Sequence, residues 1–361
     1  MGRKHRKSLR RGESMKIAYI FAYFGDGGAE ENAFLLASKA KETGENPVFI
    51  VSTISEASKK RLQKAGFDLK ILPMKSSFNI FAVFKSAISL KKIIQTEKID
   101  IIHTHMLREQ SLAIFAKFFG GKFSLIRTFH RFDQFNWKMK PIMSMYRNYT
   151  DAFISISELM SKYLKDNGLT EKVEMINNGV PKVLAPKHDK AMGFIGRLAK
   201  EKGILEFIKS NMDILHDNKL IIAGTGPDFA EIKKVITDNK LNVELLGQVH
   251  GAEKTDFFKK ISVLLLPSET EVLPTVVLEA YSCGLPVVAF RIDSLKALIK
   301  ENNGILIDYK NYVQMGQKAL QLMSNSDDYF NTNIKTYELN YSVDVMWGKT
   351  YQLYRSISAK Y

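Results

Sequence analysis

Two series of short apolar segments, each alternating with segments of helical periodicity, constrain the fold of this 361-residue chain more than any other feature. A repeating strand–helix order indicates a parallel sheet that is covered by helices on both faces. The first series of predicted strands comprises residues 16–24, 47–52, 69–72, 99–104, 123–128 and 152–156. The second series comprises residues 192–196, 220–223, 243–246, 263–266 and 287–290. The sequence therefore predicts an α/β protein with two Rossmann-like, doubly wound parallel-sheet domains that face each other across a cleft.

The segment 178–186 separates the two series of strands. It contains two prolines and one glycine, which interrupt regular structure. We therefore expect an N-terminal domain of residues 16–180 and a C-terminal domain of residues 187–340. The last residues, about 341–361, are rich in tyrosine and are predicted to form an amphipathic helix. Residues 1–15 are predicted to be a disordered basic tail, because they carry six Lys and Arg in the first eleven positions and few apolar side chains.

The positive charge of the chain lies in its first half. The net charge is +15, and residues 1–180 carry 30 Lys and Arg against 17 Asp and Glu. A basic half can indicate nucleic acid, an anionic membrane, an acidic substrate or simply a solvated surface. Segments 78–94 and 129–149 mix apolar and basic residues, so each could lie on a membrane or pack on the core. No run approaches the roughly 18 apolar residues of a membrane-spanning helix.

The most informative motif lies between the predicted strands 263–266 and 287–290. A helix is predicted there, ending at Gly284, with Glu271 in the loop before it and Glu279 inside it. The start of a helix that follows a parallel strand attracts phosphate, and open α/β sheets bind ligands at this edge. Carboxylates accept hydrogen bonds from hydroxyls. The arrangement therefore suits a sugar nucleotide.

Two cations follow the first strand of the second series. Arg197 and Lys202 lie in the segment 193–203, where a helix is predicted to begin. A guanidinium can bind phosphate through two hydrogen bonds, and an ammonium adds a point charge. Helix starts disfavour cations electrostatically. The pair therefore indicates a diphosphate ligand, although two surface cations are the alternative.

The first half offers weaker signals for a site. Gly28 ends a glycine-rich loop, 25–28, whose backbone could approach a ligand, but the spacing is not that of the dinucleotide fingerprint. His130 follows a predicted strand and could hold or deprotonate a hydroxyl, or be a structural histidine. His103 and His105 are interpreted as packing groups or as supports for the site. Because the chain contains no Asp-x-Asp, a metal-bridged diphosphate is not indicated.

Taken together, these motifs resemble those of the retaining glycosyltransferases of the GT-B fold, above all the large family 4, from about residue 15 to the last helix. The most specific element is the E-x7-E pair of Glu271 and Glu279, followed by Ala280-Tyr-Ser-Cys-Gly-Leu-Pro-Val-Val288. The supporting motifs are 28–30, 100–105, 128–130, 196–197, 201–203 and 223–227. The resemblance implies that the C-terminal domain binds a nucleotide sugar and the N-terminal domain an acceptor. It also implies that the last helix returns to the first domain.

The resemblance also implies roles for individual residues. Glu279 would bind the ribose hydroxyls, and Glu271 the hydroxyls of the transferred sugar. Arg197 and Lys202 would stabilise the departing nucleoside diphosphate, and His130 would lie near the sugar or acceptor. The donor would also contact the backbone of Gly28, Gly196, Thr275, Val276 and Val277. At Val272 the family often has glycine, which alters the expected shape of the sugar pocket.

We therefore predict a retaining, metal-independent glycosyltransferase that uses a nucleoside-diphosphate sugar, with a UDP-sugar favoured, and no further cofactor. Its predicted acceptor is a lipid-linked or cell-surface glycan. Its single cysteine, Cys283, excludes an internal disulfide and suits the cytoplasm, where the enzyme could associate with the inner face of the plasma membrane. No nucleic-acid partner is predicted. The alternatives are a non-hydrolysing epimerase of the same fold and, less favoured, a basic nucleic-acid-binding protein.

Overall fold

The structure is a computed structural model that describes residues 14–25, 27–74, 80–132, 140–169, 172–183 and 189–358. The chain divides into two compact units. The N-terminal unit comprises Met1–Gly179 together with Val343–Tyr361, and the C-terminal unit comprises Val180–Ser342. Most of the predicted basic tail, residues 1–13, lies outside the described residues, as do residues 184–186 of the segment predicted to link the two domains.

The N-terminal unit contains a seven-stranded parallel sheet with the strand order β3-β2-β1-β4-β5-β6-β7. Its strands are β1 (Lys16–Phe24), β2 (Asn46–Ile54), β3 (Asp68–Ile71), β4 (Ile101–Thr104), β5 (Ser124–Phe129), β6 (Ala152–Ser155) and β7 (Val173–Met175). The helices between them are α1 (Gly28–Glu42), α2 (Glu56–Lys64), α3 (Ile80–Glu97), α4 (Leu107–Phe118), α5 (Lys140–Tyr149) and α6 (Glu158–Asp166). Residues 17–21 of the central strand β1 are all buried, which explains its continuous apolar run.

The C-terminal unit contains a six-stranded parallel sheet with the strand order β10-β9-β8-β11-β12-β13. Its strands are β8 (Met192–Ile195), β9 (Leu220–Ala223), β10 (Val243–Gly247), β11 (Val263–Leu266), β12 (Val287–Phe290) and β13 (Gly304–Ile307). Its helices are α7 (Ile204–Ser210), α8 (Met212–Asp217), α9 (Phe229–Asp238), α10 (Gly251–Lys259), α11 (Thr275–Ser282), α12 (Asp293–Lys296), α13 (Tyr312–Ser324) and α14 (Ser326–Asn340). The predicted fold class, two doubly wound parallel α/β sheets, is confirmed.

Each sheet has one point at which the strand order reverses direction. In the N-terminal unit it lies between β1 and β4, which pair in parallel with Tyr19 opposite His103. In the C-terminal unit it lies between β8 and β11, with Met192 opposite Val263. The loops after these strands diverge, and open α/β sheets bind ligands in the resulting crevice. The predicted site residues Gly28, Arg197, Lys202 and Glu271 follow these strands, whereas His130 follows the neighbouring β5 and Glu279 lies inside α11.

The last helix, α15 (Val343–Ser358), belongs to the N-terminal unit. Its buried side chains Trp347, Tyr354 and Ile357 join the core that also contains Tyr19. The hydroxyls of Tyr354 and Tyr19 lie 3.3 Å apart. The final segment is therefore part of the N-terminal core, close to the strand-order reversal.

The prediction missed β7 and β13, which are two of the four edge strands, and included the other two, β3 and β10. Strand β7 has only three residues, none fully buried, and strand β13 has four with only its two ends buried. Neither of these two strands buries enough surface to need a long apolar run. Within the described ranges, no helix is both long and apolar enough to cross a membrane. The segments 78–94 and 129–149 include residues that lie outside those ranges.

Candidate functional site

The loops after β8 and β9 are packed backbone against backbone. The N–H of Gly196 donates to the carbonyl of Ala223 at 3.0 Å. A Cβ atom at Gly224 would overlap the carbonyl oxygen of Gly196, and one at Gly226 would overlap that of Leu198. Both glycines are therefore required by this close approach. They fix the backbone of the loop that carries the predicted diphosphate-binding arginine.

A 3₁₀ turn, Lys200–Lys202, follows the same loop and is fixed against the loop after β11. The N–H of Glu269 donates to the carbonyl of Glu201 at 2.9 Å. Gly203 has the left-handed φ of 69°, and a Cβ there would overlap the carbonyl of Pro267. The two loops at the β8–β11 reversal are thereby held together.

This packing brings together two predicted site residues. Lys202 Nζ lies 2.7 Å from Glu271 Oε1, and the Glu271 side chain is 12% exposed. Arg197 Nη1 lies 3.7 Å from Glu201 Oε1, but both of these side chains are at least half exposed. Exposed pairs of this kind contribute little energy. The Arg197 guanidinium is therefore loosely held, whereas Lys202 is engaged with a nearly buried carboxylate.

The second carboxylate of the motif is paired with a lysine that the sequence reasoning missed. Glu279 lies inside α11 and is 9% exposed. Lys254 Nζ, on α10, lies 2.6 Å from Glu279 Oε1. Lys254 belongs to none of the sequence motifs. The only signal for it in the sequence is its position on α10, the helix that connects β10 to β11.

The first turn of α11 supplies the predicted phosphate-binding amides. Thr275 is the first residue of the helix. The N–H of Val277, one of the predicted contacts, already donates to the carbonyl of Pro274 at 3.1 Å and is therefore engaged within the turn. The first N–H groups of a helix have no carbonyl one turn earlier, and this end carries a partial positive charge. The turn has no acidic residue. It is therefore electrostatically suited to an anion.

The predicted glycine of the N-terminal unit lies at a different helix start. Gly28 is the first residue of α1, and a Cβ there would meet nothing within 4 Å. The first turn of α1 carries Glu30 and Glu31. Because these carboxylates oppose an anion, the start of α11 suits a phosphate better than the start of α1.

Three histidines are stacked in the N-terminal unit at the carboxyl ends of β4 and β5. The ring centroids of His103 and His105 lie 4.6 Å apart, and those of His105 and His130 lie 5.1 Å apart. His105 Nδ1 lies 2.8 Å from His130 Nε2. His103 bonds to the Tyr354 hydroxyl and the Thr128 hydroxyl, both at 2.7 Å. His130 is thus supported by two further rings and, through them, by the last helix.

Burial keeps these histidines neutral. It lowers the pKa of His103 to about 3, with a smaller contribution from His130. Burial also lowers the pKa of His105 well below its ordinary value. The pKa of His130 falls to about 4, through burial first and the charge of Arg127 second. At neutral pH, His130 is therefore an uncharged ring. Its Nε2 is engaged with His105, and its Nδ1 can donate or accept a hydrogen bond according to the tautomer.

Among the described residues, no group of three His, Cys, Asp or Glu side chains is arranged to hold a metal ion. Cys283 is buried and lies 3.2 Å from the Glu279 carbonyl oxygen. Burial raises the pKa of its thiol to about 12. Cys283 is therefore a packing group with little thiolate at neutral pH.

Family comparisons identify the class of protein that this fold and site define. The model described as Glycosyl transferases group 1 matches residues 175–338, and the model described as Glycosyltransferase Family 4 matches residues 26–182. The chain therefore belongs to the group 1 glycosyltransferases, and the predicted resemblance is confirmed. This assignment favours glycosyl transfer over the epimerase that the sequence left open.

Individual relatives agree with this assignment. An uncharacterized glycosyltransferase of Methanocaldococcus jannaschii is 30% identical over 246 residues, covering 66% of this chain and 69% of the relative. The Escherichia coli UDP-Gal:alpha-D-GlcNAc-diphosphoundecaprenol alpha-1,3-galactosyltransferase is 28% identical over 256 residues, covering 62% and 66%. The solved structure of Anabaena Alr3699/HepE in complex with UDP has a TM-score of 0.81 at 16% identity, covering 95% of this chain and all of that chain. These likenesses show the GT-B fold.

Proposed function

We propose that the protein transfers a sugar, with retention of anomeric configuration and without a metal ion, from a UDP-sugar to a lipid-linked or cell-surface glycan. The observation that carries the proposal is the convergence of Lys202 and Glu271 at the β8–β11 reversal, beside the start of α11. The E. coli relative is named for a UDP-Gal donor and a diphosphoundecaprenol acceptor, and HepE was solved with UDP. These names support the donor and acceptor classes.

The C-terminal unit would bind the donor. The ribose hydroxyls would donate hydrogen bonds to Glu279, and the hydroxyls of the transferred sugar to Glu271. The diphosphate would accept hydrogen bonds from the first amides of α11. Gly196 would let the backbone approach the ligand closely, because it carries no side chain.

Two cations would stabilise the charge that develops during transfer. As the bond between the anomeric carbon and the diphosphate oxygen breaks, negative charge grows on the leaving group. Arg197 and Lys202 would stabilise that charge, which is how fixed cations lower a barrier. The acceptor oxygen would attack from the face that the diphosphate leaves, and its proton would pass to a phosphate oxygen. This scheme needs no nucleophile from the protein.

The N-terminal unit would bind the acceptor. A neutral His130 would accept or donate a hydrogen bond to a sugar or acceptor hydroxyl without carrying a charge. The excess of Lys and Arg in residues 1–180 would attract the unit to an anionic membrane, at about 1 kcal/mol for each residue close to the surface. We accordingly propose that the enzyme works at the cytoplasmic face. Sedimentation with anionic vesicles tests this part, and binding that is absent or insensitive to salt would contradict it.

The donor assignment is tested by replacing Glu279 with Gln, which keeps the shape of the side chain and removes its charge. We expect UDP binding to weaken by about 1.5–3 kcal/mol, as for hydrogen bonds to a charged group. The matched control is Glu244→Gln, because Glu244 forms partly exposed pairs with Lys219 and Lys260. Calorimetric titration with UDP measures both. Equal affinities in wild type and E279Q would contradict the assignment.

A further inference from the structure

Lys254 is directed at the donor side of the C-terminal unit, unlike the other lysine of α10. Its Nζ lies 2.6 Å from Glu279 Oε1, and the two side chains are 33% and 11% exposed. Lys259, on the same helix, instead pairs with Asp256 at 3.0 Å, with both side chains largely exposed. Lys254 therefore makes a partly desolvated contact with the carboxylate that the proposed function assigns to the ribose.

We propose that Lys254 is a positioning residue of the donor site, which holds the Glu279 carboxylate aimed at the ribose hydroxyls. The inference rests on the proposed function. An ionised carboxylate offers about four lone-pair sites. One ammonium N–H therefore leaves room for two hydroxyl donors on the same group. Lys254 stays in place when the donor binds, because removing one partner of a nearly buried ion pair leaves a costly unpaired charge.

The site then contains two lysine–glutamate pairs with different roles. The pair of Lys202 and Glu271 serves the diphosphate and the transferred sugar, where charge changes during the reaction. The pair of Lys254 and Glu279 serves the ribose, which is bound equally in the ground state and the transition state. Uniform binding affects KM, whereas interactions made only in the transition state affect kcat. Loss of Lys254 should therefore raise the donor KM and leave kcat nearly unchanged.

Calorimetric titration of the full-length protein with UDP tests the inference. We expect Lys254→Met to raise the Kd for UDP about tenfold or more, and Lys254→Arg to restore most of the affinity. Lys259→Met is the matched control and should bind UDP as the wild type does. The second ligand is 2′,3′-dideoxy-UDP, which offers no ribose hydroxyls. Wild type and K254M should bind it equally.

Two results would overturn the role of Lys254. One is an unchanged Kd for UDP in a folded K254M protein. The other is an equal loss of affinity for UDP and its dideoxy analogue, which would assign the lysine to the phosphates or to the fold. If K254M does not fold, Lys254→Gln replaces it in the same titrations. A double-mutant cycle with Glu279→Gln adds an independent check. In the Glu279→Gln background, Lys254→Met should cause no further loss of affinity for UDP. A wild type that binds none of UDP, GDP and ADP would overturn the proposed function itself.

Discussion

Lys202 Nζ lies 2.7 Å from Glu271 Oε1, although the two residues are 69 positions apart in the chain. Packing of the 3₁₀ turn against the loop after β11 creates this contact, and Gly203 permits it. The lysine neutralises the nearly buried carboxylate. A bound diphosphate would share the ammonium, while sugar hydroxyls would occupy the remaining lone pairs of Glu271.

Removing the cations should slow the transfer more than it weakens binding. We expect Lys202→Met and Arg197→Met each to lower kcat by roughly 10²–10³, the range found for a lost preorganised charge stabiliser. Steady-state kinetics with a UDP-sugar and an acceptor measure this effect. Lys200→Met, in the same turn, is the control and should keep the wild-type kcat. Wild-type turnover in both R197M and K202M would contradict their assignment to the leaving group.

The glycine that supports the arginine loop should be replaceable only at a high cost. Gly224→Ala should lower the free energy of unfolding by about 2–4 kcal/mol, because the new Cβ overlaps the Gly196 carbonyl and the backbone is strained. Gly247 also has a positive φ, but a Cβ there meets nothing within 4 Å. Gly247→Ala therefore controls for strain alone and should cost less. Urea unfolding of both variants measures the difference. Equal losses in the free energy of unfolding would show that the contact between Gly224 and Gly196 does not contribute to stability.

The sequence predicted the central strands well, because strands that are buried on both faces consist of continuous apolar runs. Strand β11, for example, is buried on both faces and was predicted with the observed bounds, Val263–Leu266. Strand β7 was missed because none of its three residues is fully buried and a glutamate interrupts its apolar residues. A continuous apolar run indicates a strand that is buried on both faces, so such runs identify the middle of a parallel sheet better than its edges.

The candidate site was predictable only where its residues share a motif. Glu271 and Glu279 are eight positions apart, so one loop and the helix that follows it bring both to the same edge of the sheet. Lys254 contacts Glu279 across 25 positions through the packing of α10, which no local pattern reveals. The contact of His103 with Tyr354 spans 251 positions and depends on the return of the last helix. Such pairs form only through tertiary packing, so a local sequence pattern does not reveal them.

Acid should destabilise the protein through the stacked histidines. The folded-state pKa is about 3 for His103 and about 4 for His130, below the ordinary value of 6.5. The unfolded chain therefore takes up protons that the folded chain does not, and stability is lost as the pH falls from about 6.5 towards 4. Each such histidine contributes a slope of up to about 1.4 kcal/mol per pH unit. Urea unfolding between pH 7 and pH 5 measures it.

His130→Gln should reduce that slope, and the same substitution at the exposed His216 is the matched control. A slope that is identical in wild type and H130Q would show that His130 titrates normally in the folded protein.

The thiol of Cys283 should be unreactive in the folded protein. Its side chain is buried, and burial raises its pKa to about 12, so almost no thiolate is present at neutral pH. A colorimetric thiol reagent should modify less than a tenth of the chains at pH 8 over about an hour and all of them in denaturant. Fast modification without denaturant would place the cysteine in an accessible environment.

A crystal structure with UDP bound tests the central claim most directly. The account predicts ribose hydroxyls within hydrogen-bond distance of Glu279 and phosphate oxygens at the first amides of α11, with Lys202 and Arg197 at the diphosphate. Nucleotide density at any other place, or a diphosphate that contacts neither cation, would contradict it.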